Sequence, residues 1–89
     1  LSADLLVLAT GFKNMQETTR SLLGDAIADR IGSVWGFDAG GELRNMWKRT
    51  AQPGLWFAAG SLAQCRIYSR YLALQIKACE VGLITAKRD

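Results

Sequence analysis

Gly60 and Ser61 are the residues on which chemistry in this chain would rest. An apolar run, Leu55-Trp56-Phe57-Ala58-Ala59, leads into them, and a long helical pattern leaves them. A helix N-terminus carries about half a positive charge and several free N–H donors, which suits an anionic ligand. On pattern alone the plainer account of the same elbow is a tight turn with Ser61 as the helix N-cap. Other chemistry is scarce. The chain has no histidine, which removes imidazole acid–base catalysis, the serine–histidine triad and most zinc sites. Asp4, Glu17, Asp25 and Asp38 each have a cap or turn role, and no carboxylate pair is placed for acid–base work. No catalytic residue and no metal site is therefore expected. Cys65 and Cys79 fall on the same predicted helix, roughly 21 Å apart at about 1.5 Å per residue, and cannot bridge. They read as small packing residues in a reducing compartment, with a reactive thiol at Cys65, near the helix start, as the second reading.

The elements that would position the elbow follow from periodicity. The run Leu5-Leu6-Val7-Leu8-Ala9, closed by Thr10-Gly11, is short and apolar on both faces, as a buried parallel strand is. Asn14 and Glu17 have the spacing of a capping box, predicting a helix from Met15 to about Leu23 that stops at Gly24. Asp25 is expected to cap a second short helix, Ala26 to Ile31, with Ile27 and Ile31 on its inner face. Val34–Phe37 and Glu42–Trp47 flank Asp38-Ala39-Gly40-Gly41, which reads as a β-hairpin. Pro53-Gly54 is a turn pair, and Leu55–Ala59 the second buried strand. In the last helix Ile67, Tyr71, Leu74, Ala78 and Val81 form one apolar row and Tyr68, Leu72, Ile76 and Cys79 another, leaving Arg66, Arg70, Ala73, Lys77 and Glu80 as a narrow polar face. Gly82 is a C-cap, and Lys87-Arg88-Asp89 a polar end. The aromatic cluster Trp35, Phe37, Trp47, Trp56 and Phe57 is expected in the core.

Composition narrows the class. At 89 residues and 49% hydrophobic, with a net charge of +3, the chain is at most one domain with an ordinary apolar content. Its Lys and Arg are scattered, which argues against nucleic acid binding. No apolar run approaches the ~20 residues of a membrane span and no signal-peptide pattern is present. A cytoplasmic setting is expected.

Two segments carry a resemblance. DLLVLATGFKNMQE resembles the segment near the C-terminus of flavin-containing monooxygenases and related NAD(P)/FAD-dependent oxidoreductases, where an apolar strand ends in A-T-G followed by Tyr or Phe, here Ala9-Thr10-Gly11-Phe12. PGLWFAAGSLAQCRIYSRYLALQIKA is similar to that family's last strand and helix, whose N-terminus approaches the flavin. The similarity to a bacterial branch of flavoprotein monooxygenases extends along the whole chain, VWGFDAGGELRNMWKRT included. The resemblance implies a parent oxidoreductase in which NAD(P)H reduces FAD and the flavin takes up O₂ to oxygenate a substrate as a flavin peroxide. It implies a chain that is one partial domain, residues 1–89: the C-terminal part of an FAD-binding domain, inactive alone and partnered by the upstream remainder of the parent. By carry-over Ala9, Thr10 and Gly11 would lie near the domain junction and the FAD, and Gly60, Ser61 and Leu62 would approach the isoalloxazine ring. The fold implied is α/β, a fragment of an FAD/NAD(P)-binding Rossmann-like domain with buried strands, a short helical pair, a β-hairpin and a long C-terminal helix. The chain departs from the family in two ways. It contains no G-x-G-x-x-G fingerprint, so the main pyrophosphate sites would lie upstream, and Ala58, Ala59 and Ser61 surround Gly60 where relatives are richer in glycine. A stand-alone α/β interaction module without catalytic activity is the alternative, and self-association as a homodimer through exposed apolar surface is expected of the isolated chain.

Overall fold

The structure, a computed structural model, describes residues 2–87. It contains three helices: α1, Met15–Leu23; α2, Asp25–Ile31; and α3, Leu62–Glu80. No strand or sheet forms among the described residues; only two isolated bridges do, Phe37 with Leu43 antiparallel and Met46 with Phe57 parallel. The expected α/β, Rossmann-like architecture is thereby corrected to a small, mostly helical fold, and the fold lends no support to a flavoprotein assignment. Residues 88 and 89 of the expected polar end lie outside the described residues.

The helix ends follow from local capping chemistry. Asn14 accepts the Glu17 backbone N–H at 2.8 Å and opens α1. The expected return bond from Glu17 is replaced by a long pairing of its carboxylate with Arg20, at 3.8 Å. Gly24, at φ +94°, closes α1 and is also the N-cap of α2, with no side-chain cap bond. Asp25, expected as that cap, is instead the first residue of the helix and binds Arg20 at 2.9 Å. Arg20 also binds Asp29 at 2.7 Å, so one guanidinium ties the two helices together. Ser61 opens α3 through a complete capping box with Gln64.

The two strand expectations fail for one reason: neither segment finds enough pairing to form a strand. Leu5, Leu6, Val7 and Leu8 are exposed, at 74–80%. A strand lacking a neighbour has no acceptor for its N–H groups and no surface for its side chains. Leu55–Ala59 retains a single bridge, at Phe57, whose carbonyl accepts the Trp47 N–H at 3.0 Å. The hairpin expectation is likewise reduced to a turn with one bridge. Trp35 N–H donates to Arg44, Arg44 N–H to Gly36 and Asp38 N–H to Glu42, at 2.8–3.1 Å. The Asp38 carboxylate closes the loop by accepting from Gly40 and Glu42 N–H. Regular pairing cannot extend because Trp35, Asn45 and Trp47 have φ of 71°, 58° and 61°, a left-handed backbone incompatible with a strand.

The core is correspondingly small. Ile31, Val34, Met46, Trp47 and Phe57 are buried together, with Met15, Trp35, Leu43, Leu55, Cys65 and Leu72 packed around them. Of the aromatic cluster expected there, Trp47 and Phe57 are central, Trp35 and Trp56 are half-buried, and Phe37 faces solvent. The α3 helix contributes no fully buried residue. Its inner side is held to the core region by Gln75, which donates to the Trp47 carbonyl at 2.9 Å, and by Tyr68, whose ring lies 6.0 Å from that of Trp47.

Candidate functional site

Gly60 adopts φ +118°, a conformation that L side chains rarely take. A Cβ there would also meet the Gln64 side chain, with Oε1 at 2.1 Å. The glycine is therefore required both by its backbone and by the capping box. Within that box Ser61 Oγ accepts the Gln64 N–H at 3.2 Å, and Gln64 Oε1 accepts the Ser61 N–H at 2.9 Å. Cys65 N–H makes the first intrahelical bond, to the Ser61 carbonyl. This leaves the N–H groups of Leu62 and Ala63 without an acceptor among the described residues, at the positive end of a 19-residue helix.

All six residues expected at a cofactor are exposed: Ala9, Thr10 and Gly11 on the N-terminal segment, and Gly60, Ser61 and Leu62 at the elbow. The structure makes the elbow a helix start with two open amides. It does not join residues 9–11 to residues 60–62, since no hydrogen bond, bridge or ring contact links the two segments. Cys65 and Cys79 are free thiols, both half-buried, and Cys65 packs at the edge of the core. No group of His, Cys, Asp and Glu able to hold a metal occurs among the described residues.

The electrostatics are concentrated elsewhere. Arg20, bonded to Asp29 and then to Asp25, has its pKa raised above the usual arginine range. This cluster is a clasp between α1 and α2. Two features escape sequence reasoning. The first is the trio Trp35, Asn45 and Trp47 at positive φ; for a bulky residue this is a strained state held by its surroundings. Asn45 shows how, donating through Nδ2 to the carbonyls of Ile31 at 2.8 Å and Ser33 at 2.7 Å. Trp47 Nε1 is buried with no hydrogen-bond partner among the described residues, a rarity for a buried donor. The second is a cleft of about 330 Å³ on α3, lined by Arg66, Ile67, Arg70 and Tyr71. Its sequence signal is the four-residue spacing of the arginines, visible beforehand only as part of a polar face.

No protein-family model matches the chain, and no curated protein matches it. No helix among the described residues is long and apolar enough to cross a membrane.

Proposed function

We propose that this chain is a segment of an NAD(P)H-dependent flavin monooxygenase and that its elbow, Gly60-Ser61-Leu62, faces the flavin. The reading begins from the resemblance of the two segments around Ala9-Thr10-Gly11-Phe12 and Gly60-Ser61. The observation that carries it furthest is the state of the elbow: Gly60 holds a left-handed turn, and the Leu62 and Ala63 N–H groups at the start of α3 are open. Residues of this kind suit an electron-rich ring edge. Bound FAD, reduced by NAD(P)H, would supply the oxygenating chemistry. The residues of this chain would orient the ring through backbone N–H groups and favour its anionic form through the helix dipole. Ala9, Thr10 and Gly11 would cover the cofactor from the N-terminal segment. No catalytic side chain is assigned.

The remainder of the parent enzyme is the natural partner in this reading, because Leu5–Leu8 present their side chains to solvent and a contiguous apolar surface calls for cover. The isolated chain is expected to be catalytically silent, to bind no stoichiometric flavin and to sit in the cytoplasm. The test is the reading frame that encodes it. A frame extending upstream with G-x-G-x-x-G after an apolar run supports the proposal. Its purified product should show the visible absorbance of bound flavin, bleached by NADPH and restored by oxygen. A colourless product would overturn the proposal.

The same exposed apolar residues favour a second reading, a stand-alone interaction module that self-associates as a homodimer. A start codon directly before Leu1 supports it.

A further inference from the structure

We propose that the cleft on α3 formed by Arg66, Ile67, Arg70 and Tyr71 binds an organic phosphate that bears a planar ring. This proposal does not rest on the flavin reading.

The first observation is charge without compensation. Several cations of this molecule have partners. Arg20 holds two aspartates, Lys48 binds Glu42 at 2.6 Å, Lys77 binds Glu80 at 3.4 Å, and Arg49 donates to Thr85. Arg66 and Arg70 make no ion pair and no side-chain hydrogen bond among the described residues. They stand four residues apart on one helix, where like charges repel. An anion between them removes that repulsion.

The second observation is the shape and lining of the space they share. The cleft has a volume of about 330 Å³, at the lower end of the range of small-molecule sites. It is also lined by the apolar Ile67 and by Tyr71, which are 54% and 59% exposed. Guanidinium forks match phosphate oxygens in bidentate geometry, and arginine favours that geometry more than lysine does. Two forks separated by about 6 Å along the axis suit a monoester or a diphosphate. Tyr71 then offers a face on which a ring stacks. The short cleft disfavours an acidic helix, which needs a continuous groove along several turns.

The experiment is a titration of the ¹⁵N-labelled chain with ADP, adenosine and pyrophosphate in parallel, followed through the α3 amides. ADP should shift the amides of residues 66–71 saturably, with a Kd of about 1 mM or below. Pyrophosphate should bind more weakly and adenosine more weakly still. Arg66→Ala/Arg70→Ala should weaken ADP binding by at least about tenfold with the helix content unchanged. Arg70→Lys, which keeps the charge and folds with less risk, should recover only part of the affinity. Tyr71→Ala should abolish the preference for ADP over pyrophosphate. Absence of saturable shifts, or equal ADP affinity in the double variant, would overturn the proposal. A hexaglutamate peptide binding more tightly than ADP would also overturn it, in favour of an acidic protein partner.

Discussion

The side chain of Gln64 folds back over Gly60: its Oε1 accepts the Ser61 N–H at 2.9 Å and lies 2.1 Å from the point where a Cβ on residue 60 would stand. Residue 60 is thus confined twice, by a backbone angle and by the capping residue. Gly60→Ala should lower stability by about 1–3 kcal/mol, and Ser61→Ala by about 1 kcal/mol. Part of the Gly60 effect comes from Gln64, so Gly60→Ala should cost less in a Gln64→Ala background. A double-mutant cycle of chemical denaturation measures this coupling; additive losses would show that Gln64 does not confine the elbow.

Arg20 joins α1 to α2 through Asp25 and Asp29. Its aspartate partners are exposed, so the clasp is screened by salt. Arg20→Gln should lower the melting temperature at low ionic strength, and the difference from wild type should shrink as salt is added. The Arg20 pKa is raised, chiefly by the hydrogen bond to Asp29 and next by that to Asp25. A raised folded-state value adds stability below the unfolded value and loses it as pH climbs through the folded one. For arginine both values lie far above neutrality. The contribution of Arg20 should therefore stay level from pH 6 to about pH 9, which thermal melts across that range can check.

Asn45 combines a left-handed backbone with two hydrogen bonds to the chain leaving α2, at Ile31 and Ser33. Asn45→Gly relieves the backbone but removes both donors, and Asn45→Ala loses on both counts. Alanine should be the more damaging, at about 1–3 kcal/mol, with glycine milder. Asn45→Asp should resemble alanine, since a carboxylate cannot donate to the two carbonyls. Equal stability of the alanine and glycine variants would remove backbone strain from the account.

Leu5–Leu8 present four apolar side chains to solvent. The isolated chain should self-associate through them. Leu6→Glu/Leu8→Glu should move the sedimentation distribution toward monomer without changing the helical circular dichroism, because neither side chain is buried. An unchanged distribution would assign association to another face.

What was legible in the sequence was what is decided locally. Asn14 and Ser61 cap their helices through side chains within three residues, and Gly24 ends α1 through its own φ. Strands are decided at a distance. Leu5–Ala9 and Leu55–Ala59 have strand composition, yet pairing depends on a neighbour that the pattern does not contain. The central turn was legible at Asp38, whose carboxylate closes it, but not at Trp35 and Trp47, whose positive φ opposes the preference of their own residue type. At the candidate site Gly60 and Ser61 were recognisable from the helix start. The arginine spacing on α3 was visible too, but its meaning depends on where the carboxylates of the fold lie.

Trp47 gives its N–H to Phe57, its carbonyl to Gln75 and its ring to Tyr68. These contacts reach 10, 28 and 21 residues along the chain, whereas α1 and α2 meet across one glycine. Loop closure costs more entropy as the separation grows, and contacts between distant residues form later than local ones. The helical pair and the Asp38 turn are therefore the early pieces of assembly, and the seating of α3 on Trp47 is the closing step. Under stress the order should reverse, and the indole of Trp47, whose ring lies against Tyr68 of α3, should report the departure of that helix.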